Sequence, residues 1–132
     1  MEWAGWPLQR ILLLFTGLAF MMISIQVTLF HYRQNFRHWT QWIPVITVPT
    51  LGIVSILVGF YNIIWLRTIY TILLTLGIIA GMFGFYLHIK GVGERVDGYK
   101  LQNFMVGPPL TLPLMVSAIS FLGILALMWG GF

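Results

Sequence analysis

Hydrophobic positions in this chain run on unbroken, where a soluble helix would show one apolar stripe and a surface strand would alternate. Residues 11–32, 38–66, 68–89 and 101–132 contain no Asp, Glu, Lys or Arg. A helix rises about 1.5 Å per residue, so roughly 20 apolar residues cross a hydrocarbon core of roughly 30 Å. Each window is long enough. The pattern predicts four spans, at about 11–30, 43–66, 68–89 and 110–129, with a short turn near Arg67. They read as an all-α membrane protein, four transmembrane helices in an antiparallel up-down bundle, forming a single integral-membrane domain over residues 1–132. Continuous apolar runs exclude a barrel, whose strands alternate over about ten residues. The first apolar stretch follows Arg10 but is too long for a signal peptide, and Ser24-Ile25-Gln26 leads into no small-residue cleavage site, so it is expected to be retained.

Aromatic placement agrees with these spans. Trp3, Trp6, Trp39, Trp42, Trp65 and Trp129, with Tyr32, Tyr61, Tyr70 and Tyr99, fall at span ends or in flanks. Amphipathic rings favour that level, with the body in hydrocarbon and the polar tip at the headgroups.

Composition narrows the chemistry. The chain is 59% hydrophobic and 8% charged, with mean hydropathy +0.92, more apolar surface than a soluble domain of this size can hide. It has no cysteine, which removes thiolate nucleophiles, disulfides, cysteine-held zinc and iron–sulfur clusters. A net charge of +4 is dispersed over the segments between spans, so it orients the protein in a bilayer and does not bind nucleic acid. Arg33, Arg37, Lys90, Arg95 and Lys100 lie beside or in segments 31–42 and 90–109, against Arg10 and Arg67 opposite. The excess of basic residues predicts those two loops in the cytoplasm and both termini outside; a bacterial cytoplasmic (inner) membrane is the expected location.

The loops also suggest an internal duplication. Tyr32-Arg33-Gln34-Asn35-Phe36 precedes Pro44, and Tyr99-Lys100-Leu101-Gln102-Asn103-Phe104 precedes Pro113. Equivalent placement of the two stretches makes spans 1–2 and 3–4 two parallel hairpins; unrelated loops of similar interfacial composition are the alternative.

Candidate functional residues are few. Gly77, Gly81, Gly84 and His88 recur at helical spacing and share one face of span 3. Gly17, Ser24, Thr28 and His31 do the same on span 1. Such faces let helix backbones approach closely, which is how helices associate in lipid. A sharper alternative has His31 and His88 as axial ligands of one haem b, with the Gly84 and Thr28 surfaces bracketing the ring. Histidines at helix C-termini are also favourable simply as caps. His38 lies in the first loop, and Met21, Met22, Met115 and Met128 read as apolar filler.

Gln26 is the most polar group deep in a span, and an amide there is expected to bond across the bundle, to Thr47, Thr50, Ser117 or Ser120. Pro44 suits the first turn of span 2, Pro49 would free a carbonyl one turn earlier, and Gly107-Pro108-Pro109 forces an extended approach to span 4. Gly91-Val92-Gly93 lacks the strand, crossover and lysine of a phosphate loop. Glu94, Arg95 and Asp97 read as a solvated turn, with a docking surface for a soluble partner as the alternative. No constellation suggests catalysis or a metal centre. No carboxylate lies in any window, which argues against proton-coupled export. The expected function is that of a small structural or accessory subunit contacting the lipid bilayer and other membrane subunits or further copies of itself. A haem-binding electron-transfer anchor and an oligomeric channel or carrier are the alternatives.

Overall fold

A computed structural model describes residues 2–95 and 98–130. The chain forms α1 (Leu8–Arg33), a single 3-10 turn (Trp39–Gln41), α2 (Trp42–Phe60), α3 (Ile64–Arg95), the short α4 (Leu101–Val106) and α5 (Thr111–Trp129). Four of these helices, α1, α2, α3 and α5, are long and apolar enough to cross a membrane, and they pack as an all-α four-helix bundle. The protein is therefore a small polytopic membrane protein.

Local chemistry sets where each helix begins and ends. Pro7 stands immediately before α1, where its missing N–H is no loss. At the other end of α1 the chain reverses through Asn35 and Phe36, at φ +55° and +47°, and the Phe36 N–H returns to the His31 carbonyl at 3.0 Å. This left-handed wrap satisfies carbonyls that a helix end leaves open. His38 Nδ1 accepts from the Thr40 N–H to start the 3-10 turn.

The turn expected near Arg67 lies earlier, because α2 stops at Phe60 and the extended Tyr61 breaks it before α3 starts at Ile64. Arg67 instead occupies the first turn of α3, where its guanidinium reaches back to Asn62 Oδ1 at 2.7 Å. Helix α3 also outruns its apolar window, continuing past Ile89 with an exposed Lys90–Glu94 pair at 3.7 Å. Glu94 is thus on a helix and not in a turn; Asp97 lies outside the described residues.

The bundle is two hairpins side by side. α1 packs most closely on α2, and α3 on α5; the hairpins meet through α1 against α5 and α2 against α3. Glycine makes these approaches close. A Cβ on Gly17 would lie 3.0 Å from the Gly52 carbonyl, and one on Gly81 would lie 2.6 Å from the Pro113 carbonyl and 2.8 Å from the Ser117 nitrogen. Two hydroxyls bond across the same seams: Ser55 Oγ donates to the Leu13 carbonyl at 2.6 Å and Ser117 Oγ to that of Ile78 at 2.8 Å.

Equivalent positions carry equivalent packing in the two hairpins. One constant shift superposes Arg10, Leu13, Phe20, Ser24 and His31 of α1 on Arg67, Tyr70, Gly77, Gly81 and His88 of α3. A second superposes the buried Val48, Leu51, Gly52, Ser55 and Val58 on the buried Pro113, Val116, Ser117, Ser120 and Gly123. The Gln-Asn-Phe triplets are not the equivalent elements: Gln34-Asn35-Phe36 wraps the end of α1, whereas Gln102-Asn103-Phe104 lies within α4.

Candidate functional site: a polar cavity at the loop end

Polar side chains gather at the two ends of the bundle. Where the termini meet the 61–63 turn, the last turns of α2 and α5 contain no basic residue, so their open carbonyls need donors from elsewhere. Trp3 Nε1 donates to Val58 at 2.8 Å and Arg10 Nε to Gly59 at 2.9 Å, closing α2. Gln9 Nε2 and Arg67 Nη2 both reach the Leu127 carbonyl, at 2.8 and 2.9 Å, closing α5. Arg10 also lies 3.7 Å over the Trp6 ring. The two arginines occupy matching positions in the two hairpins and do equivalent work. Positive charge at a helix C-terminus interacts favourably with the macrodipole as well.

The loop end is built differently. A cavity of about 260 Å³ opens there between all four spans, lined by His31, His38, Gln34, Gln41, Thr47, Gly81, Gly84, His88 and four prolines, 44, 108, 109 and 113. His31 is brought to its wall by the last turn of α1 and is 8% exposed. Its ring hydrogen-bonds to the Gln41 main chain, and His88 lies on the same cavity wall. His88 Nδ1 donates to the Pro109 carbonyl; that carbonyl is open because Pro113, one turn further on, has no N–H. Gln41 Nε2 donates to Gln34 Oε1 at 3.0 Å, tying the two strands of the first loop together.

Two polar atoms at this cavity are buried without a hydrogen-bond partner, His31 Nδ1 and Gln41 Oε1. Phe36 holds its backbone in a region that bulky residues rarely adopt. Its ring compensates by stacking on Trp42, centroids 4.0 Å apart and 10° from parallel.

The sequence-derived candidates separate on this framework. His31 and His88 meet at one cavity although their helices are diagonal in the bundle. Gly84 lines it, but Thr28 does not. Gly77 and Gly81 are taken up by α5: a Cβ on Gly77 would lie 2.5 Å from Ser120 Oγ, and Gly81 is closed by Ser117. The small-residue face is consequently filled by helix and leaves no slot for a flat macrocycle. A cavity of roughly 150 Å³ holds benzene, so the observed 260 Å³ accommodates one substituted ring. The four pyrroles of a haem do not fit between the helices as they are packed. Among the described residues no group of three or more His, Asp or Glu is placed to hold a metal ion.

Gln26 departs from expectation, facing outward from α1. The hydroxyls expected to partner it are otherwise placed: Thr47 and Thr50 bond back to Ile43 and Ile46, and Ser117 bonds to Ile78. Sequence reasoning missed the carbonyl-capping set Trp3, Gln9, Arg10 and Arg67, although two uncapped helix ends were a usable signal. It also missed Gln34 and Gln41, which no spacing connects to the histidines. Comparison with protein-family models, curated proteins and solved structures finds no match for this chain.

Proposed function

We propose that this protein is an accessory subunit of a bacterial cytoplasmic membrane, attached to a larger complex through the outer face of α1. The observation that carries this reading is Gln26. Its amide lies on the outside of the bundle, between Met22 and Leu29, which are 65% and 52% exposed. Six residues separate it from Tyr32, so it sits roughly 9 Å below the aromatic level, within hydrocarbon. Exposed threonines of the spans satisfy their hydroxyls on their own helices, as Thr50, Thr68 and Thr75 do. A glutamine amide at this depth finds its partner on another helix, and polar side chains are a main adhesive between helices in lipid.

The chain contains no cysteine, which makes the test clean. A single Met22→Cys or Leu29→Cys substitution, which flanks Gln26 on the same exposed face and leaves its amide in place, is expected on cross-linking in native membranes to trap an adduct with a different membrane protein. An adduct at twice the chain's mass would redirect the reading to self-association, and a monomer alone would overturn it. Cytoplasmic loops and external termini complete the proposal, motivated by the basic residues around the two longer loops. A C-terminal reporter active only in the cytoplasm would reverse that orientation.

A further inference from the structure

We propose that the loop-end cavity binds the hydroxyl-bearing ring of a lipid-soluble phenol or quinol, with Gln41 Oε1 accepting the hydroxyl hydrogen. Buried polar atoms in native proteins are almost always paired, so two orphans on one cavity wall mark where a ligand's polar group belongs. Gln41 Oε1 can only accept, and His31 Nδ1 accepts in the tautomer that carries its proton on Nε2. The missing group is therefore a donor. A carbonyl or ether oxygen leaves Gln41 Oε1 unpaired; a hydroxyl pairs it, and the second hydroxyl of a quinol can also pair His31 Nδ1 when that ring carries its proton on Nε2.

Size and surroundings select the rest of the molecule. The volume, about 260 Å³, is above the roughly 150 Å³ that holds a bare benzene ring, so one substituted ring fits. The walls are prolines, Phe30 and Phe83, surfaces suited to a flat apolar body. Phe83 is 46% exposed on the side of α3, which gives the cavity an edge at the depth of the lipid tails. His38, Lys90 and Glu94 bound its polar side. An amphiphile with its tail in the bilayer and its ring at the loop end meets both. This site is separate from the outer face of α1, so failure of the association proposal leaves it standing.

The test uses the full chain in lipid nanodiscs and calorimetric titration with para-decylphenol, its methyl ether, decanol and a decyl benzoquinol. One decylphenol should bind per chain, with the methyl ether about five- to tenfold weaker, the loss expected for one buried hydrogen bond. In Gln41→Leu, decylphenol should fall to the level of the ether, because the acceptor that distinguishes them is gone. Tighter binding of the benzoquinol assigns the site to quinols, and equal binding assigns it to single-hydroxyl phenols; both support the proposal. Equal binding of phenol and ether by the unaltered chain overturns it without any variant having to fold. So does decanol binding as tightly as decylphenol, or uptake of haem with a Soret band.

Discussion

The two ends of this bundle contain similar kinds of side chain and use them in opposite ways. At the terminal end, Trp3, Gln9, Arg10 and Arg67 donate to the open carbonyls of α2 and α5 at 2.8–2.9 Å. At the loop end, His31 and Gln41 line a cavity and each keeps a buried atom without a partner. Groups at the first end stabilise the fold, since each removes an unsatisfied backbone acceptor from an apolar surrounding. Groups at the second end cost stability in the empty protein, because an unpaired buried polar atom has lost water without gaining a bond. The first end is structural, and the second is where the proposed ligand would be held.

Substitutions break or sharpen that contrast. The largest expected effect lies between the ends: Gly81→Leu forces a side chain into the Pro113 and Ser117 backbone and should separate α3 from α5. Overpacking costs roughly 1–3 kcal/mol where a core can adjust, and more against backbone. The expected outcome is loss of the folded, monodisperse protein in detergent. Unchanged thermal unfolding would mean that α5 is not seated where the structure has it.

Arg67→Met should be the most damaging change at the terminal end. It removes the bonds to Asn62 and Leu127, and hydrogen bonds to charged groups are worth roughly 1.5–3 kcal/mol. A loss of about 2 kcal/mol is expected in denaturant titrations. Gln9→Leu removes a single neutral bond to the same Leu127 carbonyl, and about 1 kcal/mol should be lost. Because Gln9 and Arg67 share that acceptor, the double variant should depart from additivity; strict additivity would refute a shared cap.

The smallest effect belongs to the loop end. Gln41→Leu gives up one bond to Gln34 but also removes an unpaired acceptor, so stability should stay within about 0.5 kcal/mol. A loss as large as that of Arg67→Met would show that Gln41 holds the loop together and would erase the contrast.

Much of this fold was legible in the sequence, and the reason is the solvent. A bilayer demands about 20 apolar residues per crossing and a fully paired backbone, which leaves helices as the only form for such runs. Four spans and their aromatic margins follow from that alone. The limits of α2 and α3 did not, because Tyr61-Asn62-Ile63 carries no charge and no proline to mark the break between them. Only the missing capping residues at Phe60 and Trp129 hinted at donors reaching in from elsewhere.

Which helix faces meet was decided by the tertiary structure. In water an apolar stripe points to the core, but in lipid every face is apolar and hydrophobicity carries no direction. Gln26 therefore looked like an interior group and lies outside, while the spacing of Gly77 and Gly81 marked a packing face without saying that α5 is what closes it. The sequence determined that His31 and His88 close their apolar windows on the same side of the membrane, although α3 continues to Arg95. That they share one cavity with Gln41, although α1 and α3 are diagonal, came from the side-by-side packing of two hairpins, a long-range arrangement that no local spacing encodes.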